Sequence, residues 1–343
     1  MNVESQIISQ QLQKASINSL WCADENAHNI DASHFKGTAI TNRFDIYTQL
    51  KAQGINCHFN NFDFDCIAKD FDEILFRIAK EKAINFHVIA QACKRLKPEG
   101  VLTIFGGKNE GIKRYAKLVK SELEATVNIQ RFKNQFQQLS VSHCSKISPN
   151  WLNPAYGESQ QLTIDGLSFF SQFAVFGWDK IDQGSAMLMD TFAQYIEDNK
   201  TDKDASKLLD LGCGYGYLSI RAKQLGFNHI DATDNNAAAI EASLKNFQHY
   251  AIEGEVISDD CGSNISKHYD IILSNPPFHK GFDHHKDISQ QFIQNIHRLL
   301  TAQGQAFIVC NQFVGIEKLS QDLFSSCQLI AQDKGFKVIA LKL

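Results

Sequence analysis

From Lys207 onward, short apolar runs alternate with amphipathic stretches. KLLDLG predicts a buried strand, YLSIRAKQLG a helix and HIDATD a second strand. NNAAAIEASLKNFQHY then predicts a helix with Asn or Asp available to cap it. EVISDD, YDIILSNPPF and QAFIVCN continue the strand series, with ISQQFIQNIHRLLTAQG as a helix before the last of them. CQLIAQDKGFKVIALKL reads as two strands around the hairpin signal Asp333-Lys334-Gly335. Strands alternating with helices imply an α/β fold, its mostly parallel sheet covered on both faces.

The first half alternates as well, and part of it resembles a faded copy of the second. Phe71-Asp72-Glu73-Ile74-Leu75 parallels Tyr269-Asp270-Ile271-Ile272-Leu273. RLKPEGVLTIFGG parallels RLLTAQGQAFIVC, each after an amphipathic helix. An ancestral duplication would put Arg77-Ile78-Ala79-Lys80 where the second copy has Asn275-Pro276-Pro277-Phe278, with no glycine loop before it. Between Ser142 and Gly157, two of the five prolines and a cluster of Ser and Asn predict an interdomain linker. Two domains are expected, 1–150 and 151–343. QLTIDGLSFF, past the linker, predicts a short hairpin leading into a helix.

Asp210-Leu211-Gly212-Cys213-Gly214-Tyr215-Gly216 joins a predicted strand to a predicted helix. Glycines there let the backbone turn tightly and approach a ligand where a Cβ would collide. A dinucleotide fingerprint would need glycine at position 217, which is Tyr217. The acidic strand end suits a positively charged ligand, such as the amino-acid part of a sulfonium cofactor, and would repel a pyrophosphate. Asp210 is expected to orient that part, directly or through water. Asp234, followed by Asn235, ends the next strand, where a ribose hydroxyl pair is typically held. Asp259 is placed to accept from an adenine amino group, with Asp260 its rival. Cys213, between two glycines, reads as a small filler.

Asn275-Pro276-Pro277-Phe278 ends the apolar run Ile271-Ile272-Leu273. Two prolines at a strand end stop the ladder and fix the backbone. An exocyclic amino group on a base is a weak nucleophile, because its lone pair is delocalised into the ring. The Asn275 side-chain oxygen and the Pro276 carbonyl can accept both of its N–H bonds and hold the nitrogen near tetrahedral geometry. Positioning and oriented dipoles then supply the catalysis, with no metal. Phe278 offers a face for a planar base, worth roughly 1–3 kcal/mol.

Taken together, FGWDKIDQGS, DLGCGYGYLS, ATD, YDIILSNPPFHKG and FKVIALKL resemble the bacterial ribosomal RNA guanine-N2 methyltransferases. The strong part of the resemblance covers roughly residues 165–343, and the faded first half fits the 16S, small-subunit branch. The resemblance implies two tandem class I methyltransferase-like (Rossmann-like) domains. The first would be degenerate, and the second would carry a seven-stranded sheet edged by an antiparallel hairpin strand. It further implies S-adenosylmethionine as cofactor and the N2 amino group of one guanosine in 16S rRNA, within the small ribosomal subunit, as target. Asp182 and Gly184-Ser185 would belong to a segment packed beside the cofactor. Large-subunit (23S) guanine-N2 enzymes share the tetrapeptide and stay open as an alternative. A protein glutamine methyltransferase and a non-enzymatic RNA-binding assembly factor are the other two.

Charge sharpens this picture. The whole chain carries −4, but the segment from Arg77 to Asn150 has fourteen Lys or Arg against five Glu and no Asp. That surplus of nine leaves −13 elsewhere and suits an RNA-facing surface. Lys113, Arg114, Lys117 and Lys120, along one or two adjacent helix faces, are the candidate phosphate contacts. Nine cysteines without a C-x-x-C pair argue against a zinc site or a disulfide framework. With no apolar run of membrane-spanning length, a cytoplasmic protein is expected; a monomer is expected as well.

Overall fold

The computed structural model describes residues 2–67, 70–144, 151, 156–277 and 283–343; the side chains of 134 and 283–288 lie outside that description. Two compact units divide the chain, Met1–Glu158 and Ser159–Leu343. The break falls a little beyond the expected linker because two residues of that linker pack on the first unit. Trp151 donates its indole N–H to Glu122 Oε2 at 2.8 Å and meets Phe86 edge-on, and Tyr156 donates its hydroxyl to Asn61.

The first unit opens with α1 (Val3–Lys14), β1 (Ser19–Ala23), β2 (Thr38–Thr41), α2 (Phe44–Ala52) and β3 (Asn56–Phe59). It continues through β4 (Phe71–Arg77), α3 (Lys82–Arg95), β5 (Leu96–Gly107), α4 (Ile112–Glu122), β6 (Thr126–Arg131) and β7 (Phe136–Ser142). The second unit starts with the hairpin β8 (Gln160–Ile164) and β9 (Leu167–Ser171), then α5 (Gln183–Asp198), β10 (Lys207–Leu211), α6 (Tyr217–Gln224) and β11 (His229–Asp234). There follow α7 (Ala237–His249), β12 (Val256–Ser258), β13 (Tyr269–Ser274), α8 (Asp283–Leu299), β14 (Leu300–Asn311), α9 (Ile316–Ser320), β15 (Ser326–Asp333) and β16 (Phe336–Lys342).

Each unit holds a seven-stranded sheet, and the two have the same strand order: β3-β2-β1-β4-β5-β7-β6 and β12-β11-β10-β13-β14-β16-β15. Five strands of each are parallel and the last two pair antiparallel. The irregularities match too. The ladder between β4 and β5 shifts register between Phe71 and Glu73, and that between β13 and β14 between Tyr269 and Ile271. A glycine sits at each shift, where a Cβ on Gly100 or Gly304 would come within about 3 Å of the Phe71 or Tyr269 carbonyl oxygen. Arg95 and Arg298 likewise each donate to two or more loop carbonyls.

Strand alternation divides the second unit's core. Leu208, Ile271, Leu273, Phe307 and Val309 pack on one face with residues of α5, α6 and α7. Leu209, Leu211, Ile272, Ala306 and Ile308 pack on the other with residues of α8 and α9. Both faces are covered, as the continuous apolar strands require. The sheet's open places for a ligand are therefore its strand ends.

Candidate active site

β10 and β13 are neighbours and parallel, with Asp210 opposite Leu273. That register brings the glycine loop after β10 beside the turn after β13. The Ser274 hydroxyl donates to the Leu211 carbonyl at 2.6 Å and ties the two strand ends together.

Gly212, Gly214 and Gly216 all have left-handed φ, at 79°, 57° and 87°. A side chain is strained in that region, so glycine is needed at each. A Cβ on Gly212 or Gly214 would sit at ordinary contact distance, 3.8 Å from the Phe292 ring and 3.9 Å from Val175, so it is the left-handed backbone and not crowding that calls for glycine at these two positions. The loop is pinned from below: Gly212 and Cys213 N–H both donate to the Thr233 carbonyl at 2.9 Å, and Gly214 N–H donates to Asp234 Oδ2 at 2.9 Å. Asp234 Oδ1 accepts from Asn236 N–H at 2.8 Å, so this carboxylate joins the loop to the start of α7. Asn235 donates from its side chain to Asp260 Oδ1 at 3.3 Å. Cys213 is buried with its thiol pushed well up by desolvation, which suits a filler better than a nucleophile.

Asp210 is fully buried. Its Oδ2 accepts from the Ser219 hydroxyl at 2.7 Å and the Ser219 N–H at 3.0 Å. Its Oδ1 is buried and, among the described residues, has no hydrogen-bond donor. Desolvation pushes the carboxyl up to about 7, with the charge of Asp234 adding to the rise and the Ser219 bonds opposing it. An unmet buried acceptor at a strand end is costly unless a donor arrives. Beside a left-handed glycine loop at the strand end, it fits a ligand carrying a cationic amino group.

Asp259 is also buried, with Oδ2 accepting from Asn264 N–H at 2.9 Å and Oδ1 from the Asn264 side chain at 3.0 Å. Burial pushes its carboxyl up against those bonds. Asp260, half-buried, takes the Gln291 amide on Oδ2 at 3.3 Å. A further donor could reach Asp259 only on second lone pairs, and both aspartates remain candidates for an adenine amino group.

Asn275 and Pro276 follow directly on β13, Asn275 half-buried and Pro276 buried, with Pro277 exposed. The Asn275 amide donates to Asp182 Oδ1 at 2.9 Å and to Ser185 Oγ at 2.8 Å. Both of its N–H bonds are thereby taken inside the protein, and its oxygen faces away from those partners. Asp182 is the N-cap of α5, accepting from Ser185 N–H at 2.9 Å. The expected segment 182–185 therefore lies against the strand-end turn. Its grip on Asn275 spans 93 residues and left no local signal. Phe278 lies outside the described residues.

In the first unit, Leu20 pairs with Ile74 and Trp21 with Leu75. Matching β4 to β13 then sets Trp21 where the second unit has Asp210, and Arg77 where it has Asn275. Both are buried. Arg77 reaches Glu4 at 3.1 Å and Glu110 at 2.7 Å. Nearby Asp24, pushed up to about 8 by burial and Glu25, is held down in part by Arg77. An indole and an ion-pair cluster occupy the places that hold Asp210 and Asn275 in the other half. Lys113, Arg114, Lys117 and Lys120 are exposed along α4, opposite its buried Ile112, Tyr115, Ala116 and Val119.

Residues 166–340 match the methyltransferase small domain family, and 5–133 match the N-terminal domain that accompanies it. The ribosomal RNA small subunit methyltransferase C of Actinobacillus pleuropneumoniae serotype 5b is 36% identical over 181 residues, covering 52% of this chain. That alignment spans about half the relative's length, 53%. The protein of the same name from Colwellia psychrerythraea is 26% identical over 276 residues, covering 79% of this chain and 75% of its own. The one from Aliivibrio salmonicida is 25% identical over 311 residues, 89% and 87% of the two chains. Among solved structures, the T. thermophilus 16S rRNA N2 G1207 methyltransferase, in complex with AdoMet and guanosine, superposes with a TM-score of 0.82 at 21% identity. That match covers 98% of this chain and 91% of the other, and it shows the same fold in both halves. With two Rossmann-like sheets and both domain matches in place, the chain belongs to the methyltransferase small domain family.

Proposed function

We propose that the chain transfers a methyl group from S-adenosylmethionine to the N2 amino group of a guanosine in 16S rRNA of the small ribosomal subunit. The observation that carries this reading is the Asn275 amide at the strand end beside the glycine loop, both N–H bonds engaged by Asp182 and Ser185 and its oxygen on the side away from those partners. The names of the relatives support the choice of RNA.

S-adenosylmethionine, when bound, supplies a methyl group on a positively charged sulfur. Asp210 accepts from the cofactor's amino group through its unmet Oδ1, and Asp234 lies where the ribose hydroxyls are held. Asn235 belongs to the same wall, and Asp259 or Asp260 accepts from the adenine amino group. Asn275 Oδ1 and the Pro276 carbonyl accept the two N–H bonds of the target amine. Its lone pair is thereby drawn out of conjugation and aimed along one line. Pro277 fixes the course of the turn, and Phe278 is assigned the base-stacking face. The exposed basic face of α4 is assigned to rRNA phosphates, which makes the first unit the docking domain.

Labelled cofactor should mark small subunits in preference to large subunits or naked rRNA, with the label on guanosine N2. Asn275→Ala should abolish transfer and leave cofactor binding within a few-fold. Label in the large subunit alone would redirect the assignment to 23S rRNA. Label in no RNA would leave the protein-substrate or assembly-factor reading.

A further inference from the structure

We propose that Asp182 and Ser185 are positioning residues that fix which way round the Asn275 amide stands. The inference rests on the reading of Asn275 Oδ1 as the acceptor for the target amine.

A primary amide has two unlike ends, and rotation about the last side-chain bond exchanges them. Only the oxygen-outward orientation can accept from an amino group. Asp182 presents an acceptor to Asn275 at 2.9 Å. Turning the amide over would set its oxygen against a carboxylate oxygen at that distance, two acceptors with no proton between them. The carboxylate cannot easily swing aside. The same Oδ1 caps α5 through Ser185 N–H at 2.9 Å, so releasing Asn275 would uncap a sixteen-residue helix. Ser185 Oγ takes the second amide N–H at 2.8 Å, and two anchors on one NH2 fix its plane as well as its sense.

The spacing between the anchors is itself constrained. A Cβ on Gly184 would come within 3.1 Å of Asp182 Oδ1 and 3.1 Å of the Phe336 ring. The run Asp182-Gln183-Gly184-Ser185 thus reads as a cap, a spacer without bulk where β16 crosses, and a second acceptor. None of these residues needs to touch the substrate.

Two measurements test this. The first needs no turnover: with [15N]asparagine labelling, the Asn275 side-chain amide is assigned by its disappearance in Asn275→Ala. Two resolved, slowly exchanging protons are expected in the full-length protein, and rapid exchange in Asp182→Ala and Ser185→Ala. Equally rapid exchange in the wild type would overturn the anchoring whatever the substrate proves to be.

The second is kinetic, using S-adenosylmethionine and small subunits that the wild type methylates. Asp182→Ala should lower kcat by about 30- to 100-fold, with the KM for cofactor within about threefold. Asp182→Asn, which keeps an acceptor and a cap, should retain most activity. Ser185→Ala leaves the cap side chain intact and should lower kcat by about tenfold, which covers the case of Asp182→Ala failing to fold.

The decisive pair is Asn275→Asp alone and combined with Asp182→Asn. The single variant faces one carboxylate with another; in the double variant the amide introduced at position 182 supplies the missing donor. The double variant should exceed the single in kcat by at least about tenfold. A helix cap that served stability alone would lower the melting temperature, leave the Ser185→Ala kcat unchanged and give no gain in the double variant. That result would refute the proposal. Failure of the wild type to methylate small subunits would refute the functional reading and leave the amide-exchange result standing.

Discussion

On the proposed assignment of Asp210 to the cofactor's amino group, cofactor affinity is expected to depend on pH. The carboxyl is fully buried and pushed up to about 7, chiefly by desolvation, with one oxygen unmet. A cationic amino group held there needs the ionised form. With a value near 7, roughly half the molecules are ionised at pH 7, about a tenth at pH 6 and about a hundredth at pH 5. Affinity for S-adenosylmethionine should therefore weaken by nearly tenfold for each unit below about pH 6, and binding at pH 7 should release about half a proton. Titration calorimetry between pH 5 and 7, in paired buffers of different ionisation enthalpy, reads both quantities. Asp210→Asn should bind more weakly and flatten the profile. Ser219→Ala removes a 2.7 Å hydroxyl bond to the charged form, so it should move the midpoint upward. In the ligand-free protein the same group acts on stability with the opposite trend. Its folded value lies above the ordinary aspartate value of about 3.9, so its contribution is fully present below about pH 4 and is lost as pH rises through about 7. At about 1.4 kcal/mol per unit, the ceiling is about 4 kcal/mol. A flat affinity from pH 5 to 7, or an Asp210→Asn profile parallel to the wild type, would refute the assignment.

Replacing Lys113, Arg114, Lys117 and Lys120 by Gln should weaken binding to 16S rRNA and make its dependence on the logarithm of salt concentration shallower by about 3, at roughly 0.7–0.9 per lost phosphate contact; an unchanged slope in filter binding would remove α4 from the interface. Arg77→Ala breaks pairs with Glu4 and Glu110, each about a third exposed and worth about 1 kcal/mol or less, and leaves buried Asp24 without its counter-charge. The expected loss is about 2–4 kcal/mol in denaturant unfolding of the first unit, with cofactor stoichiometry unchanged at one per chain. Gly212→Ala forces a side chain into a φ of 79°, at a cost of about 1–2 kcal/mol, and should lower both thermal stability and cofactor affinity.

Most elements of the second unit were legible in the sequence because each carries a local signal; α9 was not anticipated, and residues 300–304, expected to end a helix, open β14 instead. Leu208 and Leu209 read as a strand from composition alone, and the prolines after Asn275 mark where a ladder must stop. The same holds for the left-handed glycines, whose need for missing side chains shows in the residue type itself. What could not be read is what depends on partners far along the chain. The anchoring of Asn275 joins two segments some ninety residues apart, and Asp182 by itself looks like any helix cap. Trp151 and Tyr156, in a stretch with the composition of a linker, pack on Phe86 and bond to Asn61. The kinship of the halves was visible only in β4 and β5, whose buried positions still favour the same apolar residues. The full matching of strand order, register shift and glycine came with the structure. Trp21 standing for Asp210 could be found only through strand pairing.

The placing of β16 bears on how the chain comes to be folded as it is made. This strand lies between β14 and β15, although it follows both in the chain. β15 leaves the ribosome first, before β16, its one sheet neighbour among the described residues, has been synthesised. Until Phe336–Lys342 slot in, β15 waits without a neighbour and the edge of β14 stays open. β7 plays the same part for β6 in the first unit, which can close once Ser142 is out, some two hundred residues sooner. The unit that has an ion-pair cluster at the Arg77 position thus has all of its sheet strands synthesised first, well before the sheet of the second unit can be completed.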